Sequence, residues 1–322
     1  MVLDYNLPKE KIAQTPTFPR DHCKLLVLNG EKIEHRKFYE IIDYLHKGDV
    51  LVLNDTKVMK ARLIARKPTG GKLDILIIRE RNGFYECLIK GKYKEGTKFF
   101  IANKEGEILE KRNGRCLIKL PLSMEEMEKF GIMPTPPYIK REVENEGWYQ
   151  TVFAKKKGSI AAPTAGLHFT EELLKKIAEK GVEIVYVTLH VGLATFMPPE
   201  KMKEEKEYYS ISEESAEKIN NAKGKVVAVG TTTVKALESS AKNGKVIASE
   251  GWSNLFISLE HKFQSPIQGM VTNFHMPNSP PLIMTAAFAG KELLMKAYEE
   301  ALKKNYKFLS FGDAMLILRC SK

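Results

Sequence analysis

The chain has little cysteine. Cys23, Cys87, Cys116 and Cys320 stand far apart, with no CxxC pair among them. That spacing excludes a zinc knuckle and the dense framework of a small disulfide-bonded domain; it reads as reduced thiols in a cytoplasmic protein. Long hydrophobic runs are missing as well. A membrane-spanning helix needs about 20 apolar residues, and the longest apolar stretch, at 282–289, is about half of that. The N-terminus, MVLDYNLP, lacks the basic and then apolar regions of a secretory signal. HExxH, GxSxG, Walker A and GxGxxG motifs are all absent. A zincin, an α/β-hydrolase, a P-loop NTPase and a dinucleotide-binding dehydrogenase are thereby disfavoured.

What is present is a soluble composition, 43% hydrophobic and 28% charged, over 322 residues. That length suggests about two domains. The net charge of +11 is unevenly placed: residues 60–120 hold 16 Lys or Arg against 7 Asp or Glu, a surplus of nine. A segregated surplus of this kind points to a polyanion contact, although a lysine-rich solvated surface gives the same count.

The basic window differs in texture from its flanks. Short apolar runs (KLDILIIR, GFYECLIK, KFFIA, RCLIKL) alternate with glycines at 71, 83, 91, 96, 106 and 114. Short strands at such spacing read as a small antiparallel barrel or sandwich. A short helix at 123–130 and a proline-rich connector at 133–138 follow. The flanks instead carry buried-strand runs (LLVL at 25–28, VLVL at 50–53), an amphipathic helix with Phe38, Ile41, Ile42 and Leu45, and a helical stripe through Leu293, Leu294, Ala297, Tyr298, Ala301 and Leu302. The expected fold is a mixed α/β main domain, residues 1–58 and 151–322, with an inserted antiparallel β-barrel domain at 59–150.

Two histidines organise the main domain. His168 lies in APTAGLHFT (162–170) and His190 in TLHVGLATF (188–196). Between them Thr170 can cap a helix with Leu173, Leu174, Ile177 and Ala178 on one stripe, Gly181 can end it, and VEIVYVTL (182–189) suits a buried strand. If 159–162 is also a strand, both histidines follow neighbouring parallel strands, at the edge where open α/β sheets hold ligands. KVVAV (225–229) leads to Gly230 and the hydroxyls of Thr231, Thr232 and Thr233. Residues 268–274 lead to Asn273 and His275, and 308–311 lead to Gly312 and Asp313.

Convergence of these segments gives a candidate site of His168, His190, His275 and Asp313, with Glu238 on the helix after the threonines. Imidazole suits proton transfer near neutral pH. Hydroxyls and helix N-terminal N–H groups suit a carboxylate, a phosphate or sugar hydroxyls. Gly166, Gly192 and Gly230 allow close approach of a ligand to the backbone. Each residue alone has a plainer role: a structural histidine, a turn glycine, a helix cap. Three histidines and an aspartate are also zinc-ligand types, but no pair has the i, i+4 spacing of a local metal site, and no metal ligand is assigned.

The blocks NDTKVMKARL (54–63), YQTVFA (149–154), APTAGLHFT, VTLHVGLATF, VGTTTVKALES (229–239), VTNFHMP (271–277), TAAFAG (285–290) and FGDAMLI (311–317), with the start DYNLPKEKIAQTP, resemble the S-adenosylmethionine:tRNA ribosyltransferase-isomerases of queuosine biosynthesis. The resemblance runs in order along essentially the whole chain. It implies an α/β domain with an inserted barrel, and a transferase that moves and isomerises the ribosyl portion of S-adenosylmethionine onto 7-aminomethyl-7-deazaguanine at the tRNA wobble position. Epoxyqueuosine-tRNA, adenine and methionine are the products. S-adenosylmethionine is then a substrate, and no cofactor is needed. The expected partner is the tRNA anticodon loop, and the expected setting is a cytoplasmic monomer that touches no membrane.

Under that reading His168 and His190 are candidates for base and acid, His275 is a third, and Asp313 or Glu238 orients an imidazole or faces a developing cation. Pro163, Thr164, Gly166, Gly192, Thr231, Thr232, Thr233 and Asn273 are candidates to bind the small substrate. Lys90, Lys92 and Lys94 are candidates to bind tRNA, with Phe84, Tyr85, Tyr93, Phe99 and Phe100 divided between base stacking and the barrel core. One departure is visible. Family members commonly carry an HKMHSE-like segment where this chain has KMKEEKEYYSI (201–211); Glu207, Tyr208 and Tyr209 match, but the histidines are absent. A non-catalytic tRNA-binding protein, a metal-dependent hydrolase and an S-adenosylmethionine-dependent methyltransferase are the rival functions.

Overall fold

A computed structural model describes residues 3–141, 143–192 and 206–319. Cys320 and the segment 201–205, where the family histidines are missing, lie outside the described residues, as do Leu193 to Phe196 of the second histidine motif.

The chain divides into two compact units, 1–57 with 137–322, and 58–136. In the first, the strands are β1 (Lys24–Asn29), β2 (Lys32–Lys37) and β3 (Val50–Asn54). The second unit holds β4 (Arg62–Arg66), β5 (Lys72–Arg81), β6 (Phe84–Lys90), β7 (Lys98–Ile101), β8 (Lys104–Arg112), β9 (Arg115–Lys119) and helix α1 (Met124–Phe130). The first unit resumes with α2 (Glu171–Glu179), β10 (Glu183–Leu189), β11 (Glu207–Ile211), α3 (Glu213–Asn220), β12 (Val226–Val229), α4 (Thr231–Ser240), β13 (Ser249–Ser253), β14 (Ile267–Asn273), α5 (Pro280–Ala289), α6 (Lys291–Lys303) and β15 (Ala314–Leu318).

The large unit is built on a nine-stranded sheet in the order β13-β11-β10-β3-β12-β14-β15-β1-β2. Strands β10, β3, β12 and β14 are mutually parallel. β15 turns antiparallel to β14 and pairs parallel with β1. The central strands are apolar along their whole length because both faces are covered. Leu25 and Val27 of β1 join one core with Phe38, Ile41, Leu173 and Ile177. Leu26 and Leu28, alternating with them, join the other with Val234, Leu237, Leu294 and Tyr298. Helix α2 begins as its sequence predicts: Thr170 Oγ1 accepts from the N–H of Leu173 at 3.1 Å, and Gly181 after it takes φ +88°.

Three expectations are corrected here. Lys156–Ser159 forms a short strand outside the nine-stranded sheet, and His168 ends a 3₁₀ turn (Thr164–His168), so no strand–helix–strand unit brackets the two histidines. Residues 308–311 are not a strand: Leu309 has φ +70°, and only Phe308 bridges to Ile12. The strand is β15, and Asp313 precedes it. Because β15 opposes β14, its first residue still reaches the edge where β14 ends, with Ala314 opposite Asn273. The return to the main unit falls at 136/137 rather than 150/151. Residues 138–149 belong to it through the Tyr138 hydroxyl, 2.7 Å from Ser310 Oγ, and the fully buried Tyr149.

The small unit is a closed antiparallel barrel, β9-β6-β5-β4-β7-β8. Leu63, Leu73, Ile75, Tyr85, Phe99 and Ile118 fill it, alternating with outward residues. Of the aromatics named above, Tyr85 and Phe99 are core, Phe84 and Tyr93 are half-buried, and Phe100 is 38% exposed. Lys90, Lys92 and Lys94 are all exposed.

Candidate active site

A cavity of about 230 Å³ lies in the large unit where β12 and β14 end. Its wall is assembled from the N-terminus of α4, the 162–165 turn, the loop after β14, the start of α5, residues 254–257, and Leu309 with Ser310. Gly230 precedes α4 with φ +91°, a backbone shape that favours glycine, and no side chain caps the helix. Thr231 and Thr232 therefore present hydroxyls and the helix's free N-terminal end to the cavity.

Of the residues singled out in the sequence, Pro163, Thr164, Gly230, Thr231, Thr232, Asn273 and His275 line this cavity. His275 is set by its backbone: its N–H donates to the Tyr298 hydroxyl at 2.9 Å, and its carbonyl accepts from the Tyr5 hydroxyl. Its Nε2 is 2.7 Å from Thr272 Oγ1, and burial pushes its pKa down to about 3, so the ring is neutral.

His168 sits behind the wall. Asn273 Nδ2 donates to its Nε2 at 3.0 Å, which leaves the Nδ1 proton to face Cys23 Sγ at 3.3 Å. Burial, helped by the nearby Arg20 guanidinium, lowers its pKa to about 3. The same Asn273 accepts from Thr164 Oγ1 at 2.9 Å and donates to the Leu309 carbonyl. His168 thus holds a wall residue and does not itself line the cavity.

His190 is also off the wall, next to Val191, which is on it. Its Nδ1 is 2.8 Å from Thr56 Oγ1, and its ring stacks on Tyr208 with centroids 5.6 Å apart. A Cβ on Gly158 would lie 2.6 Å from its Nε2. Burial lowers its pKa, with Asp55 opposing.

The remaining candidates lie elsewhere. Gly166 packs beneath Phe153, where a Cβ would come within 2.8 Å of the ring. Thr233 Oγ1 donates back to the Val229 carbonyl. Asp313 accepts from the N–H groups of Lys24 and Lys307, both at 2.7 Å; burial raises its pKa. Glu238 is buried and accepts from His261 Nε2 at 2.8 Å, from the N–H groups of Gln264 and Ser265 at 2.9 Å, and from the Ser265 hydroxyl. These two carboxylates staple loops and do not line the cavity. Nor does the expected grouping for a metal hydrolase form: among the described residues no three His, Cys, Asp or Glu side chains are set to hold a metal ion.

Sequence reasoning noted Glu207 only as a match to the family segment and gave neither it nor Lys235 a role, yet both are on the wall. Lys235 Nζ is 2.8 Å from Glu207 Oε2, and Glu207 Oε1 accepts from the Gly192 N–H at 2.9 Å. The available signal was spacing: Lys235 is four residues after Thr231, hence on the same helix face. Asn54, inside the NDTKVMKARL block, was also missed as a positioning residue. It exchanges two bonds with Leu189 at 3.0 Å and donates to Thr232 Oγ1 at 3.2 Å, tying β3, β10 and α4 together.

The sequence profile of the queuosine biosynthesis protein family matches residues 2–317. The S-adenosylmethionine:tRNA ribosyltransferase-isomerases of Sulfurihydrogenibium sp. (strain YO3AOP1) and Thermotoga maritima are each 46% identical to this chain, with 98% of both chains covered in each case. The crystal structure of S-adenosylmethionine tRNA ribosyltransferase from Thermotoga maritima is similar with a TM-score of 0.59 and 38% identity, covering 98% of this chain and 99% of that one.

Proposed function

Since the chain belongs to the queuosine biosynthesis protein family, we propose that it transfers and isomerises the ribosyl moiety of S-adenosylmethionine onto 7-aminomethyl-7-deazaguanine at the wobble position of tRNA, giving epoxyqueuosine-tRNA with release of adenine and methionine. Full-length identity to relatives of that name carries the reaction. The cavity supports its placement, because it combines hydroxyls, an amide, a neutral imidazole and an apolar wall in one concavity at a sheet edge.

The reaction sets requirements that individual residues can meet. The acceptor ammonium must lose a proton before it can attack, and the carbon beside the sulfonium must lose another. Adenine leaves more readily when a ring nitrogen gains one. A base has to be unprotonated in the resting protein, and His275 is the neutral imidazole on the wall; its lowered pKa makes it a weak base by itself, so this role requires bound substrate to raise its basicity. His168 acts as a positioning residue through Asn273, reversing the order in which sequence reasoning ranked the histidines. Thr164, Thr231, Thr232 and Asn273 face the ribose hydroxyls. Met284, Pro280 and Ile257 offer an apolar surface to the adenine ring. The sulfonium supplies both the leaving group and the acidity of the adjacent carbon.

The tRNA contact falls to the barrel, where Lys90, Lys92 and Lys94 are exposed and splayed anticodon bases can be reached without melting a duplex. Among the described residues no helix is long and apolar enough to cross a membrane. The reading includes a cytoplasmic monomer.

Chromatography of the small-molecule products, with and without acceptor tRNA, tests the proposal. Adenine and methionine in equal amounts, dependent on the modified tRNA, are expected. S-adenosylhomocysteine in their place would identify a methyltransferase, and unchanged S-adenosylmethionine would leave only a tRNA-binding protein.

A further inference from the structure

Among the described residues lining the cavity, Lys235 and Glu207 are the only Lys, Arg, Asp or Glu side chains. They are 16% and 8% exposed and touch each other at 2.8 Å. An ion pair in such surroundings is a weak stabiliser, because desolvation of both groups offsets their attraction and an apolar pair would serve the fold as well. Both members are nevertheless held in place. Glu207 belongs to a sheet strand and is fixed by the Gly192 N–H, while Lys235 projects one turn inside α4 on the Thr231 face.

Resting on the reading of this cavity as the S-adenosylmethionine site, we propose that Lys235 and Glu207 form the receptor for the amino-acid end of that substrate, Lys235 taking its α-carboxylate and Glu207 its α-ammonium. The adenine and ribose are neutral; only the amino-acid end carries opposite charges one carbon apart. Bound there, it replaces a single contact between two side chains with two charge-assisted contacts, so neither protein charge is left unpaired. The arrangement also argues against Glu207 serving the sulfonium: a lysine ammonium at hydrogen-bond distance repels a lone cation and welcomes a zwitterion. The pair thereby selects for an intact amino-acid tail and sets which end of the substrate lies beside α4.

The test compares adenine release from S-adenosylmethionine and from its decarboxylated analogue, with saturating acceptor tRNA. Wild-type protein is expected to favour S-adenosylmethionine roughly 10- to 100-fold in kcat/KM, the effect of one charge-assisted contact. In Lys235→Met the preference collapses towards one. The double variant Lys235→Met/Glu207→Gln, which leaves no unpaired charge in the cavity, reads the same ratio should the single variant misfold. Retention of the full preference in either variant overturns the assignment. So does an active wild-type protein that shows no preference. A wild-type protein that releases adenine from neither compound overturns the ribosyl-transfer reading, and the receptor with it.

Discussion

The side-chain amide of Asn273 donates to Nε2 of His168 across 3.0 Å, and both groups are buried. The histidine of the APTAGLHFT motif is therefore an acceptor for a residue of the cavity wall. Its folded pKa lies near 3 against 6.5 for the free side chain. Between those values the unfolded chain binds a proton that the folded chain refuses, so acidification through that window lowers stability, by at most about 1.4 kcal/mol per pH unit for this one group. Urea midpoints measured across the window should fall less steeply in His168→Gln than in the wild type. Parallel slopes would show that His168 is not held neutral.

Asn273 connects three partners, so its loss should cost more than one hydrogen bond. Asn273→Ala is expected to destabilise by about 2–3 kcal/mol, since His168 and Thr164 both lose a buried partner. The effect should be strongly non-additive with His168→Ala. Additive free energies in that double-mutant cycle would sever the proposed link.

The histidines should separate in kinetics. His275→Ala is expected to lower kcat for adenine release roughly 10²- to 10⁴-fold, the range for loss of a general base. His190→Ala, which removes a ring stacked on Tyr208 beside the wall, should cost less than tenfold by the same measure. Equal losses, or the opposite order, would return His190 to the centre of the chemistry.

Glu238→Ala should act on stability alone. It strands two backbone N–H groups, a hydroxyl and an imidazole that now share one carboxylate. A loss of about 3 kcal/mol is expected, with kcat retained well below the lowered Tm. Thermal melts and rates on one preparation decide the matter.

Charge reversal at Lys90, Lys92 and Lys94 together should weaken tRNA binding and make the slope of log K against log salt shallower by about 2 units, because fewer counterions are released. Adenine release at saturating tRNA should persist. An unchanged slope would place the RNA contact elsewhere.

Much of this architecture was legible in the chain. Continuous apolar runs marked β1, β3 and β12, and Thr170 with Gly181 bracketed α2, because local steric and capping rules act within a few residues. The barrel announced itself through glycine-punctuated short runs. Residues 308–311 misled for a definable reason: an apolar run signals burial, and a buried loop with Leu309 at positive φ is as apolar as a strand. Asp313 and Glu238 were read as chemistry because they follow presumed strand ends, one after 308–311 and the other on the helix behind the threonines, yet both accept from backbone N–H groups that no side-chain pattern reveals. The Lys235–Glu207 pair was invisible because it joins a helix to a strand 28 positions away, and a lone lysine in a helix ordinarily points to water.

The reversal of direction between β14 and β15 ties the pocket to the far end of the chain. The wall draws on residues from Tyr138 to Ser310, the last of them just ahead of β15, which pairs beside β14, so no N-terminal piece that stops short of Ser310 contains the whole pocket. Removal of the C-terminal segment from Leu309 onward would therefore open the wall on that side while leaving the threonines and Lys235 in the sequence.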